Sequence, residues 1–196
     1  MGRQNGKSVL GAIFGFYGLA MHEKGPQVIG LASNREQAEI IYDRVYHTIQ
    51  ASPVLNKRFK TTGTRGISRK DASGTYEVKP AKGDALQGIP ISMCVFDELH
   101  ISKPEMWQAV VNGQRSRKNP MVIGLTTAGD DNSELLKSLY ETGKKAAQGD
   151  PNLERFGFFL WEAPEGSTVD DEEAIKAANP GIACGRIDIA TVKTDV

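Results

Sequence analysis

Apolar positions along the chain fall into runs of two periods. Residues 9–21 (VLGAIFGFYGLAM) are almost continuously apolar, yet fewer than the roughly 20 residues a membrane-spanning helix needs. They predict a buried helix, and Gly11 and Gly15, four apart, would let it lie close on a sheet. Gly25 and Pro26 break the chain, and residues 27–32 (QVIGLA) read as a buried strand. Ser33 and Glu36 have capping-box spacing, which predicts a helix whose apolar stripe is Ala38, Ile41, Tyr42, Val45 and Ile49 and which Pro53 closes. Between residues 57 and 82, glycines, threonines and basic residues alternate with short β-prone runs such as 75–78, predicting small strands. Residues 91–96 (ISMCVF) and 121–126 (MVIGLT) are continuous apolar runs of the kind central parallel strands show, with a helix predicted from Pro104 to about Asn112 between them. Farther on, Leu136, Leu139, Tyr140 and Gly143 share a helical face, residues 157–162 read as a strand, 170–178 as a short helix, and Asn179, Pro180 and Gly181 as a turn. Strands alternating with helices predict an α/β fold with a mostly parallel sheet flanked by helices.

Composition changes this picture little. The 196 residues, 39% apolar, suffice for a core of ordinary domain size. Twenty-four basic and 24 acidic residues cancel, so any nucleic-acid contact must come from local patches, and residues 57–60 (KRFK) and 65–70 (RGISRK) are the basic clusters available. Cys94 and Cys184 stand far apart without metal-ligand spacing and are too few for a disulfide framework, so a reducing cytosol is the simplest compartment. No membrane partner is expected.

Chemistry enters at three places. Residues 2–8 (GRQNGKS) stand immediately before the apolar helix, where backbone N–H groups around Gly6 and the helix dipole favour phosphate. Lys7 adds a point charge, and the Ser8 hydroxyl can ligate Mg²⁺. Counting back from Gly6, the first glycine of the usual phosphate-loop pattern falls on Met1, so that pattern is not met. The triplet alone also fits a solvated turn. Asp97 and Glu98 close the apolar run 91–96, at the carboxyl edge where ligands bind in open α/β sheets. There an aspartate can hold Mg²⁺ through its water shell, and the adjacent glutamate can orient and deprotonate a water attacking a γ-phosphate. His100 completes DELH, and residue type leaves it open between sensing phosphate and packing. Thr126 and Thr127 end the next strand, bringing two hydroxyls to the same edge.

Three stretches in this order, GRQNGKS (2–8), VFDELH (95–100) and GLTTAG (124–129), resemble the motifs of the large terminase subunits of tailed bacteriophages. Residues 32–38 (ASNREQA), 82–88 (KGDALQG) and 178–181 (ANPG) resemble further segments of that family, so the likeness spans nearly the whole chain. It implies a P-loop NTPase of the RecA/ASCE-like class and an ATP- and Mg²⁺-dependent motor that packages double-stranded viral DNA into procapsids. The motor would be a homo-oligomeric ring working with a portal protein and a small terminase subunit in the cytoplasm of the bacterial host. By that likeness Arg3, Lys7 and Glu98 are catalytic, Arg3 being the arginine of an altered Walker A loop. Gly2, Gln4, Asn5, Gly6, Lys7, Ser8, Thr126 and Thr127 bind the nucleotide, with the two threonines coupling hydrolysis to movement, and Ser8 and Asp97 bind the metal.

The likeness also implies an arginine supplied by a neighbouring subunit, for which Arg65, Arg69, Arg115 and Arg117 compete. Residues 1–165 would form the ATPase domain and 166–196 a linker toward a nuclease domain. The expected strand ahead of the phosphate loop finds no room in the sequence, which therefore reads as part of a longer subunit, and DNA cutting is not expected of it. Two other readings stand beside this one: a helicase-like nucleic-acid-dependent ATPase, from DELH, and an inert nucleotide-binding fragment.

Overall fold

The structure, a computed structural model, describes residue 2 and residues 4–62 and 66–194, without the side chains of Thr62, Gly83 and Asp84. The chain divides into two compact units, Ser8–Thr126 and Met1–Lys7 with Thr127–Val196.

The unit Ser8–Thr126 is built on a six-stranded sheet of order β2-β3-β4-β1-β5-β6. Its strands are β1 (Gln27–Ala32), β2 (Phe59–Thr62), β3 (Gly66–Arg69), β4 (Thr75–Pro80), β5 (Met93–Asp97) and β6 (Met121–Leu125). The apolar run 91–96 behaves as expected, whereas the run 121–126 forms an edge strand rather than a central one. β1 lies parallel between β4 and β5, and β5 lies parallel between β1 and β6. A strand covered on both faces needs apolar residues at every position, and all five residues of β5 are buried. β2, β3 and β4 pair antiparallel at one end of the sheet. β6, at the other end, is half-buried to exposed and pairs with β5 alone among the described residues.

The apolar helix is α1 (Lys7–Tyr17), continued by one π-helical turn, Gly18–His22. The glycine spacing does what the sequence implies. A Cβ on Gly11 would meet Ile41 and Leu125 side chains at 2.7 and 2.8 Å, and one on Gly15 would meet the Tyr76 ring at 3.3 Å. Only hydrogen atoms at these positions let the helix backbone reach the sheet.

Helix α2 (Arg35–Ala51) buries Ala38, Ile41, Tyr42, Val45 and Ile49, the predicted stripe. Its cap is Asn34 rather than Ser33: the Asn34 side chain accepts from the Gln37 N–H at 2.9 Å. Ser33 instead bonds the Gln37 side chain, Oγ to Oε1 at 2.7 Å. Pro53 ends α2 as expected and also opens α3 (Pro53–Arg58), which Ser52 caps. α4 (Pro104–Gly113) buries Met106 and Val110.

In the second unit, α5 (Glu134–Ala147) buries Leu135 and Gly143 and keeps the predicted Leu136, Leu139 and Tyr140 half-buried. Phe158 packs on Gly143, where an added Cβ would come within 2.3 Å of its ring, and Tyr140 donates to the Glu162 carboxylate at 2.8 Å. Residues 157–162 do not form the expected strand. No ladder partner faces them among the described residues, and Phe159 is 81% exposed. The short helix at 170–178 is α6 (Glu172–Ala178), capped by Asp171. The expected turn at 179–181 is the start of another helix, α7 (Pro180–Ala183), because proline at a first helical position already has helical φ and lacks an N–H the helix would leave unpaired. α8 (Ile189–Thr194) follows, tied to α6 by Lys193 and Glu172 at 2.8 Å.

Candidate functional site

The parallel ladder fixes what meets at the carboxyl end of the sheet. Asp97 of β5 pairs in register with Leu125 of β6, so the residues that follow, Glu98 and Thr126, leave neighbouring strands together. Asp97 is 6% exposed, and its Oδ1 accepts the Glu98 N–H at 3.0 Å. Glu98 has left-handed backbone, φ 54° and ψ 51°, a conformation that costs a non-glycine residue roughly 1–2 kcal/mol and gathers at functional sites. One of its carboxylate oxygens, Oε2, is buried without a hydrogen bond.

His100 fills the gap between these groups. Its backbone N–H donates to Thr126 Oγ1 at 3.2 Å, and its ring Nδ1 shares a hydrogen bond with the same hydroxyl at 3.3 Å. That nitrogen also lies 3.2 Å from Glu98 Oε2, close but not aligned for a hydrogen bond. A histidine that the residue types left undecided therefore joins a threonine of one motif to a carboxylate of another. Ser8, in the same unit, is the second residue of α1.

The loop before α1 belongs to the other unit. Gln4 and Gly6 both have positive φ, 58° and 91°, in the kind of alternating backbone that gathers amides around an anion. The Lys7 ammonium donates to the Gly2 carbonyl at 2.8 Å. Asn5 uses both ends of its amide. Its Nδ2 donates to Asn179 Oδ1 at 2.8 Å, and its Oδ1 accepts the Gly181 N–H at 2.8 Å. The Gly2 N–H donates to the Ala178 carbonyl at 3.2 Å. Sequence reading named residues 178–181 as a family-like segment and 179–181 as a turn, and nothing local in it signals a partner more than 170 positions away. Thr127 is half-buried in this same unit. Arg3 lies outside the described residues.

The arginine candidates separate. Arg69 donates to the Leu19 carbonyl at 2.7 Å and to Ser73. Arg117 donates to the Pro90 carbonyl at 2.8 Å and pairs with Glu23 at 3.1 Å. Both are bound into the fold. Arg115 is exposed and lines an open cleft of 490 Å³ with Gln87, Gly88 and Asn112, while Arg65 lies outside the described residues. Among the described residues no three His, Cys, Asp or Glu side chains gather as a metal site, and no helix is long and apolar enough to cross a membrane.

The family model for the terminase large subunit, ATPase domain, matches residues 1–145. Among curated proteins none matches. Among solved structures, the HK97 bacteriophage large terminase superposes with a TM-score of 0.83 at 21% identity, over 97% of this chain and 40% of that one. The large terminase ATPase domain of Thermus phage P74-26 gives 0.55 at 16% identity, over 78% of this chain and 82% of that one. The large terminase of a thermophilic bacteriophage, in complex with ATP-gamma-S, gives 0.51 at 12% identity, over 71% of this chain and 35% of that one. The chain thus spans well under half the length of the first and third of these proteins, and at these identities the likeness establishes the fold, that of the terminase ATPase domains.

Proposed function

The chain belongs to the family of terminase large subunit ATPase domains, and from that membership we propose that it is the ATP-hydrolysing part of a motor that drives double-stranded viral DNA into procapsids. The observation that carries the reading is the orphaned, buried Oε2 of Glu98 beside Asp97, at the carboxyl end of a central parallel strand. A buried carboxylate oxygen without a donor is costly, and a water molecule about to lose a proton is a donor that satisfies it.

Glu98 orients that water and takes its proton as the water attacks the γ-phosphate. Gly2, Arg3, Gln4, Asn5, Gly6 and Lys7 hold the phosphates through backbone N–H groups and two positive side chains. Ser8 and Asp97 hold Mg²⁺, a hydroxyl and a carboxylate being enough for a cation that keeps several of its own waters. When bound, the ion offsets phosphate charge. Thr126, through His100, senses the carboxylate on which turnover depends, which fits the coupling role its motif has by resemblance, and Thr127 follows it. The large terminase of the thermophilic bacteriophage, solved with ADP and with ATP-gamma-S, supports ATP as the ligand.

Residues 1–165 form the ATPase domain in this reading and 166–196 a linker. Lys57, Arg58, Lys60 and Lys70, all exposed, are the basic residues offered to DNA in this reading, the subunits form a ring with portal protein and small terminase subunit, and the work is done in the host cytoplasm. The test is Glu98→Gln, which keeps the shape and removes the base. Nucleotide affinity should stay within about threefold while turnover falls by at least about 100-fold. Turnover close to that of the unaltered chain rules out the role given to Glu98.

A further inference from the structure

Arg186 stands over the phosphate loop without an acidic partner among the described residues. Its guanidinium Nη1 lies 3.7 Å from the point where a Cβ on Gly6 would be, and the side chain is exposed and makes no hydrogen bond or ion pair with any described residue. The backbone that carries it is held firmly. The Arg186 and Ile187 N–H groups both donate to the Gly181 carbonyl, at 2.9 and 3.2 Å, and Ile187 packs on Gly181, where a Cβ would meet it at 2.8 Å.

Gly181 is in turn fastened to the loop by Asn5, and Asn179 by the same amide. Asn179 also donates to the Ile175 carbonyl at 3.0 Å, which fixes the orientation of its own amide. Two asparagines, each satisfied at both ends, thus set the distance between an anion-binding backbone and an unpaired arginine.

We propose that Arg186 contacts the terminal phosphate of the bound nucleotide from within the same chain, making the loop favour a triphosphate over a diphosphate, and that Asn5 and Asn179 are the residues that position it. The proposal rests on the phosphate-loop reading above. A planar guanidinium presents paired donors that match phosphate oxygens. A charge that reaches only the last phosphate leaves diphosphate binding nearly untouched.

The test is titration calorimetry of the 196-residue chain with ATP-gamma-S and with ADP, in the presence of Mg²⁺. Arg186→Ala should weaken ATP-gamma-S binding by about tenfold or more and ADP binding by less than about threefold. Arg186→Lys should recover part of the loss. Asn179→Ala, which removes the positioning contact, should reproduce the selective loss for the triphosphate, a pattern that general loosening of the fold does not produce. Equal effects on both nucleotides, or no effect from Arg186→Ala, overturn the proposal. Lys7→Ala separates the two readings: if it leaves both affinities unchanged, or if the unaltered chain binds neither nucleotide, the phosphate loop itself has been misread and the role of Arg186 falls with it.

Discussion

Tyr76 is wholly buried between two glycines, with its hydroxyl unbonded: a Cβ on Gly30 would meet that oxygen at 2.9 Å and one on Gly15 at 3.3 Å. Burial pushes its ionisation above the ordinary value of 10.0, and Cys94, Tyr42 and Asp97 add to the rise. Removing an unsatisfied buried hydroxyl relieves its desolvation, so Tyr76→Phe should stabilise the fold by about 1 kcal/mol in urea unfolding at neutral pH. The sign of the pH effect follows. The neutral phenol is favoured in the folded chain, so stability is complete below the unfolded value and falls as pH rises past it. The phenylalanine variant should lose less over that alkaline range, and identical curves for the two chains would remove the explanation. None of this strain was legible in the sequence, where Tyr76 is one aromatic residue in a β-prone run. The place of Asp97 and Glu98 at the carboxyl end of β5 was legible, because a carboxylate pair closing an apolar run marks where a buried strand stops. The left-handed backbone of Glu98 was not, since it depends on how the chain leaves the sheet. The fold contacts of Arg69 and Arg117 were not legible for a related reason: their acceptors are carbonyls 50 and 27 positions away, which only the topology brings near.

At the scale of elements, continuous apolar runs located β1 and β5 because a strand covered on both faces needs no alternation, and a third run located β6 although it lies half-buried to exposed at the sheet edge. The same rule failed at residues 157–162, where Phe158, Phe159, Leu160 and Trp161 look like a strand but find no neighbour to pair with. A ladder is a property of two segments, and one segment's letters cannot supply the second. The start of α2 shows a subtler ambiguity. Ser33 with Glu36 and Asn34 with Gln37 both have the spacing of a capping box, and the chain uses the second, with Asn34 extended at φ −132° and ψ 166°. Asn34→Ala should therefore cost about 1 kcal/mol in thermal or urea unfolding, and Ser33→Ala roughly half that or less. A reversed order would return the cap to Ser33.

On the scale of the whole molecule, one unit is the continuous stretch Ser8–Thr126 and the other joins distant parts of the sequence, the loop at residues 2–7 belonging with residues beyond 126. This association was illegible because asparagine pairing has no periodicity and no compositional trace. The sheet carries a different consequence. β6 has hydrogen-bonding groups along the side away from β5, and Met121 is 37% exposed, so the strand offers a template on which another polypeptide can add a rung. In concentrated solution the isolated chain should self-associate through this template, with sedimentation showing a mass that grows with concentration. Met121→Lys, a charge where incoming backbone would have to lie flat, should return it to monomer, and an unchanged mass would place the contact elsewhere. A strand with one side unpaired among the described residues makes the protein's company depend on how many copies are near it.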